Sequence, residues 1–166
     1  MSLSTEALER FVERLVADAD RWQPLIRHDS DARVYELIWQ DEEVNAWLIC
    51  WSEDHDTGFH DHDESAAAIH VIDGQVREDR LRLWAAPQTR VSGPGTTFVV
   101  PANAIHRVRH AGTGPAITIH AYSPPLVRVG AYRVRGDGEL ERLAQSWDEE
   151  LRAEAASAPG PSLVVG

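Results

Sequence analysis

The sequence predicts an all-β protein, a sandwich or barrel with one helix at each end of the chain. Two observations lead to this prediction. Short runs rich in Val, Ile, Trp and Thr follow one another between Arg33 and Val134, separated by Asp-Glu, Asp-Gly and Gly-Pro-Gly turn signals. Segments with apolar residues at three- and four-residue spacing, typical of amphipathic helices, lie on either side. The length of 166 residues fits one domain, so we expect the strands to share one core.

The N-terminal helix is predicted over residues 5–22, with Ser4 or Thr5 as its cap. The apolar residues that set its period are Leu8, Phe11, Val12, Leu15 and Val16. We predict strands over 33–39, 45–51, 58–61, 66–73, 81–85, 97–100, 105–110, 115–122 and 127–134.

A second helix is predicted over residues 138–156. Its period rests on Leu140, Leu143, Ala144, Trp147 and Leu151. We therefore expect a single domain over residues 1–156. The small, Pro- and Gly-containing residues of 157–166 predict a loose tail.

Composition limits the partners of the protein. The net charge of −11 argues against nucleic acid and anionic membranes, since both require basic surfaces. No apolar run approaches the ~20 residues of a transmembrane helix, and no basic segment precedes an apolar one at the N-terminus. The one cysteine, Cys50, lies in an apolar strand and fits a reducing compartment. We expect a cytoplasmic monomer.

Three histidines form the most informative pattern. His60 and His62 are two residues apart on a predicted strand, so their side chains point to the same face. His106, from a distant strand, can complete a three-nitrogen face that leaves coordination positions open, as in catalytic metal sites. An H-x-H pair alone is more often an accident of surface composition, so the surrounding sequence decides the interpretation.

That surrounding sequence resembles the cupin superfamily. Gly95, five residues, Pro101, a turn and then His106 resemble its second motif, with Asn103 in the place of a second glycine. The resemblance implies a cupin fold, a double-stranded β-helix or jelly-roll barrel. Most metal cupins carry a carboxylate a few residues beyond H-x-H, but Ala66 and Ala67 stand there in this chain. Three neutral histidines are therefore expected, which favours a substrate with its own anion, such as a thiolate.

A more specific resemblance covers about residues 33–134. The stretch from Ile49 to Ser65 is similar to the first motif of the cysteine dioxygenase family, and Ile117 to Pro125 is similar to its hydroxyl-x-His-x-Tyr-Ser-Pro-Pro segment. The resemblance implies a thiol dioxygenase that holds Fe(II) through the three histidines, His60, His62 and His106. Cysteine would bind the iron through thiolate and amine, and both atoms of O2 would pass to sulfur to give cysteine sulfinate.

The same resemblance singles out a row of polar residues. Thr118, His120 and Tyr122 alternate along one strand and so face the same way. In the predicted row, Thr118 orients His120, and His120 orients Tyr122, whose hydroxyl would meet the substrate carboxylate or dioxygen. Alternatively, these residues are only hydrogen-bonded members of the inner face of the barrel.

Substrate binding is assigned to Arg33 and Tyr35, because the family places an arginine near a tyrosine on an early strand; Arg27 is the rival. Some members cross-link the active-site tyrosine to a cysteine, but Ala67 occupies that position here. The sequence is also compatible with two other functions. One is a dioxygenase for 3-mercaptopropionate, cysteamine or a pathway thiol, and the other is a non-redox cupin that holds Zn or Mn.

Overall fold

Two antiparallel sheets pack face to face in the computed structural model, which describes residues 2–136 and 139–146. The helices are α1 Thr5–Ala17 and α2 Ala19–Trp22, followed by a 3₁₀ turn, Gln23–Leu25. The strands are β1 Val34–Gln40, β2 Asn45–Trp51, β3 His60–Asp61, β4 Ala66–Asp73, β5 Gln75–Arg82, β6 Ala85–Ser92, β7 Thr97–Val100, β8 His106–Ala111, β9 Ala116–Ser123, β10 Arg128–Val134 and β11 Leu140–Ser146.

The strand order is β1-β2-β9-β4-β7 in one sheet and β11-β10-β3-β8-β5-β6 in the other. The main core lies between them and takes residues from both sheets, among them Trp47, Ile69, Phe98, Val76 and Val108. Alternate residues of β2, β4 and β7 therefore face this core, as the alternation of side chains along a pleated strand requires. The predicted all-β architecture is confirmed.

Helix α1 covers the outer face of the first sheet. Its buried residues Leu8, Val12 and Leu15 join a second apolar cluster with Leu48 and Ile119. The predicted helix over 5–22 is divided at Asp18, whose φ of −89° and ψ of 67° are not helical. Within the described part of the chain, no helix has the length and apolar character needed to span a membrane.

The predicted strand 81–85 is wrong. β5 and β6 form a hairpin whose turn lies at Leu83 and Trp84, and Trp84 has a positive φ of 60° and a fully exposed side chain. The two strands are missed by the sequence analysis because β5 is mostly charged and β6 has few large apolar residues, so no apolar period marks them.

The predicted helix over 138–156 is corrected in its described part. Residues 140–146 are strand β11, which pairs with β10 along its whole length. The helical spacing of Leu140 and Leu143 is overridden by this ladder and by a two-pronged ion pair of Arg142 with Asp61. Residues 147–156 of the predicted helix and the predicted loose tail 157–166 lie outside the described residues.

Candidate metal centre

The three histidines meet inside the barrel. His60 on β3 lies opposite His106 on β8 in the ladder, and His62 follows β3 directly. Nε2 of His62 lies 3.2 Å from Nε2 of His60 and 3.2 Å from Nε2 of His106. All three side chains are buried, so the structure brings the predicted ligand residues together.

The hydrogen bonds of Nδ1 in His60 and His106 determine whether Nε2 of each ring can bind a metal ion. Nδ1 of His60 lies 3.2 Å from the Gly58 carbonyl oxygen, and Nδ1 of His106 lies 3.1 Å from a carboxylate oxygen of Glu78. Because both oxygens only accept, each Nδ1 carries the proton and each Nε2 presents a lone pair. These lone pairs converge on one space, and a cation bound there would stabilise the arrangement. Nitrogens at about 2.1 Å from one metal ion lie roughly 3.0–3.4 Å apart, so the donor set fits such an ion.

Burial keeps the rings of His62 and His106 neutral. Desolvation, followed by the neighbouring histidines, holds the pKa of His62 and that of His106 well below the ordinary value of histidine. Neutral imidazole is the form that binds a metal, so His62 and His106 are ready to act as ligands near neutral pH.

Glu78 was missed by the sequence analysis. It is buried on β5, and Nη2 of Arg80 donates to it over 2.8 Å. It contacts the Nδ1 side of His106 and so orients that ring instead of joining the three-nitrogen face. The charged run from Arg77 to Arg80 gives no sequence signal for which side chain points inward.

The row on β9 has the hydrogen bonds that the sequence analysis expected. Nε2 of His120 lies 3.0 Å from Oγ1 of Thr118, and Nδ1 of His120 lies 3.3 Å from the Tyr122 hydroxyl. Nε1 of Trp51, on the neighbouring strand β2, donates to Oγ1 of Thr118 over 2.9 Å. Trp51 thereby anchors the row; the alternation of Trp47, Ile49 and Trp51 on β2 was the available signal.

The row borders the histidine face. The rings of Tyr122 and His62 meet edge to face, with 5.0 Å between centroids. Ala67 on β4 lies directly opposite Tyr122 in the β4–β9 ladder. The position from which a cysteine could reach the tyrosine therefore carries a methyl group in this chain.

The two candidate arginines lie in different surroundings. Arg33 is buried, and its guanidinium lies 5.5 Å from the centroid of the Trp51 ring. Arg27 is 65% exposed and pairs with Glu36 over 2.6 Å. Tyr35 is half-buried, and its ring meets that of Trp47 at 6.1 Å. Of the two arginines, Arg33 is the one placed beside the anchor of the row.

Comparison with known proteins identifies the family. The sequence pattern of the family described as cysteine dioxygenase type I matches residues 3–135, a range that contains all three histidines and the β9 row. The chain belongs to the cysteine dioxygenase type I family. This membership confirms the resemblance seen in the sequence and supports a thiol dioxygenase.

Relatives in the cysteine dioxygenase family are distant in sequence. Cysteine dioxygenase type 1 of Danio rerio is 24% identical over 136 residues, which cover 75% of this chain and 68% of the relative. The Homo sapiens protein is 23% identical over 172 residues, covering 97% and 85%. A cupin superfamily structure from Desulfitobacterium hafniense DCB-2 matches with a TM-score of 0.52 at 16% identity, covering 62% of this chain and 87% of that one. This likeness confirms the cupin fold.

We expect the metal-free protein to lose stability as the pH falls from about 6.5 toward 3. Burial, then the charges of His60 and Arg33, lower the pKa of His120 to about 3. In this range the unfolded chain binds protons that the folded chain does not, so the free energy of unfolding falls with acidification. Each such histidine contributes about 1.4 kcal/mol per pH unit. Thermal unfolding across this range measures the slope.

Replacing His120 by Asn removes one titrating group and should flatten that slope. His28→Asn, at an exposed position, is the matched control and should leave it unchanged. An equal slope in the wild type and in His120→Asn would show that His120 is already protonated in the folded protein.

Proposed function

We propose that this protein is an Fe(II)-dependent thiol dioxygenase that converts L-cysteine to cysteine sulfinate. The supporting observation is the contact of Tyr122 with His62, which sets the hydrogen-bonded row of β9 against the three-histidine face. The reaction balances as RS⁻ + O2 → RSO2⁻, with four electrons leaving sulfur and both oxygen atoms joining it.

The ligand set explains the preference for a thiol. His60, His62 and His106 would hold the ion through imidazole nitrogens, which carry no negative charge, so no ligand charge offsets the charge of the metal. When bound, Fe(II) would bring the thiolate and dioxygen together and carry electrons between them. An anionic sulfur is favoured at a buried divalent centre because a low-dielectric surrounding strengthens the attraction.

The β9 row supplies a hydrogen-bond donor at this face. Since His120 is neutral, one of its nitrogens donates and the other accepts. If Thr118 donates to Nε2, then Nδ1 donates to the oxygen of Tyr122, and Tyr122 keeps its own proton for the substrate. Trp51 favours this arrangement, because its N–H fills a lone pair of Thr118 and leaves the threonine hydroxyl to donate.

Arg33, which directly precedes β1, is the proposed partner of the substrate carboxylate, and Tyr35 lies two residues further on, within β1. A guanidinium matches a carboxylate with two parallel hydrogen bonds. The buried Arg33 lies against Trp51, and its charge also contributes to the low pKa of His120, so it faces the same interior space as the row. This placement favours thiols that carry a carboxylate over cysteamine, which has none.

We expect Arg33→Ala to raise the KM for L-cysteine by about 10- to 100-fold, the effect of losing a charged hydrogen-bonded pair worth about 1.5–3 kcal/mol. The matched control, Arg27→Ala, removes an exposed arginine of the same region and should leave KM unchanged. Steady-state kinetics on both variants gives the answer. Equal losses for cysteine and cysteamine in Arg33→Ala would contradict a role in carboxylate binding.

The proposed function is tested by anaerobic loading of the protein with Fe(II), followed by oxygen uptake with L-cysteine, 3-mercaptopropionate and cysteamine. With L-cysteine, oxygen consumed and sulfinate formed should be equal, and both sulfinate oxygens should come from heavy-isotope dioxygen. Faster turnover of another thiol would reassign the substrate. No uptake with any thiol would favour a non-redox cupin, and label from water would exclude dioxygenase chemistry.

A further inference from the structure

Asp61 lies between the two histidines of the H-x-H pair but points to the outer face of the sheet. Nε and Nη2 of Arg142 donate to its two oxygens over 2.7 and 2.8 Å, and the Tyr132 hydroxyl donates over 2.5 Å. Asp61 is buried whereas the Arg142 side chain is 37% exposed, so the carboxylate end of this two-pronged pair is shielded from water. Arg142 comes from β11, two strands away from the ligand strand β3.

Gly130 makes this reach possible. It is the residue of β10 that lies between Asp61 on β3 and Ala144 on β11 in the ladder. A Cβ on Gly130 would lie 2.2 Å from Nε of Arg142 and 2.5 Å from Cζ. The absence of a side chain therefore leaves a slot over β10 in which the Arg142 guanidinium lies.

The Asp61 carboxylate also fixes the backbone around His62. Its Oδ1 accepts from the backbone N–H of Asp63 over 2.9 Å, so the hydrogen-bonded ring spans His62. Ser65 then donates its N–H to the His62 carbonyl over 3.0 Å. Ordering the carboxylate of Asp61 thus orders the turn that carries the second histidine.

The short length of β3 makes an added support necessary. β3 contains only His60 and Asp61, and within the described ladders it meets β10 at two positions and β8 at one. A strand so short has few ladder hydrogen bonds to hold two ligand side chains in place. The Arg142 pair adds a charged contact at the one residue between them.

We propose that Arg142, lying in the Gly130 slot and holding Asp61, is a positioning residue that sets the His60 and His62 imidazoles for metal binding. The proposal rests on the proposed function, since it requires the three histidines to bind a metal. Contacts behind the ligands typically change metal affinity by about 10- to 100-fold. The C-terminal hairpin β10–β11 is accordingly part of the metal site although it contributes no ligand.

The test is the affinity of the metal-free protein for Co²⁺, measured by competition with a chelating dye, together with the Co²⁺ absorption spectrum. Arg142→Ala should bind about 10- to 100-fold more weakly than the wild type, and Arg142→Lys should recover part of the loss. The matched control is Arg133→Ala, which removes an exposed ion pair with Glu141 on the same hairpin. All measurements are made at a temperature at which circular dichroism shows each variant folded.

A double-mutant cycle with Gly130→Ala separates positioning from general weakening of the hairpin. Gly130→Ala should lower the Co²⁺ affinity in the wild-type background, because its Cβ displaces the guanidinium. It should have no further effect in Arg142→Ala, since the displaced group is gone. Wild-type affinity in Arg142→Ala, or additive losses in the cycle, would overturn the proposal. Failure of the wild type itself to bind Co²⁺ would overturn the proposed function and the positioning role together.

Discussion

Replacing His106 by Ala is expected to reduce bound iron from about one ion per chain to background and to abolish thiol oxidation. Three nitrogens form the face, and the two that remain, from His60 on β3 and His62 directly after it, leave the ion without its third protein ligand. The change also removes one of the hydrogen-bond partners of buried Glu78 and leaves Arg80 as another. Metal analysis of the purified protein and oxygen uptake with L-cysteine measure both losses. His60→Ala and His62→Ala should give the same result.

His28→Ala is the matched control, because His28 is an exposed histidine of the same chain. It should retain full iron content and activity. Circular dichroism should show that the barrel persists in the His106 variant, since the core between the sheets is built from other residues. Full iron occupancy in His106→Ala would remove this residue from the ligand set.

Tyr122→Phe should lower kcat by about 10²–10³-fold without changing iron content. The substitution removes only the hydroxyl and keeps the ring that contacts His62. Loss of one preorganised donor commonly has this effect when charge develops at the atom that it contacts. Steady-state kinetics and metal analysis on the same preparation separate the loss of the donor from loss of the metal.

His120→Ala should reproduce much of this effect, because it leaves the Tyr122 hydroxyl without the Nδ1 contact that orients it. The two changes should not be additive if they act on one donor. Full cysteine turnover in Tyr122→Phe would identify the row as structural and shift the preference to another thiol or to a non-redox cupin. Since Ala67 offers no thiol, intact mass after turnover should show no two-hydrogen loss at this pair.

Much of the fold could be predicted because its signals are local. The apolar period of α1 and the apolar runs of β2, β4 and β9 each describe a buried face. The hairpin β5–β6 could not be found in this way, because Glu78 and Asp79 are buried by pairing with arginines and resemble solvent-exposed charges in sequence. The sequence predicts a helix at β11 because the spacing of its apolar residues is helical and carries no signal of the ladder with β10.

The same distinction applies to the site: residues with a local sequence signal could be predicted, and residues that act through contacts between strands could not. The three histidines and the β9 row could be identified from the sequence, because strand periodicity and short motifs mark them. The residues that orient them could not be assigned, since Glu78, Trp51 and Arg142 act through contacts between different strands. Choosing between Arg33 and Arg27 likewise needed burial, which distinguishes the two only after folding.

Strand β9 is buried along its whole length, with the core between the sheets on one side and helix α1 on the other. It is also the central strand of its sheet, flanked by β2 and β4. Its backbone amides can therefore meet water only when the entire barrel opens, so their hydrogen–deuterium exchange should report the global free energy of unfolding. Thr118, His120 and Tyr122 therefore stand on a strand that we expect to open only together with the whole barrel. We accordingly expect any movement that admits a substrate to come from the loops around them.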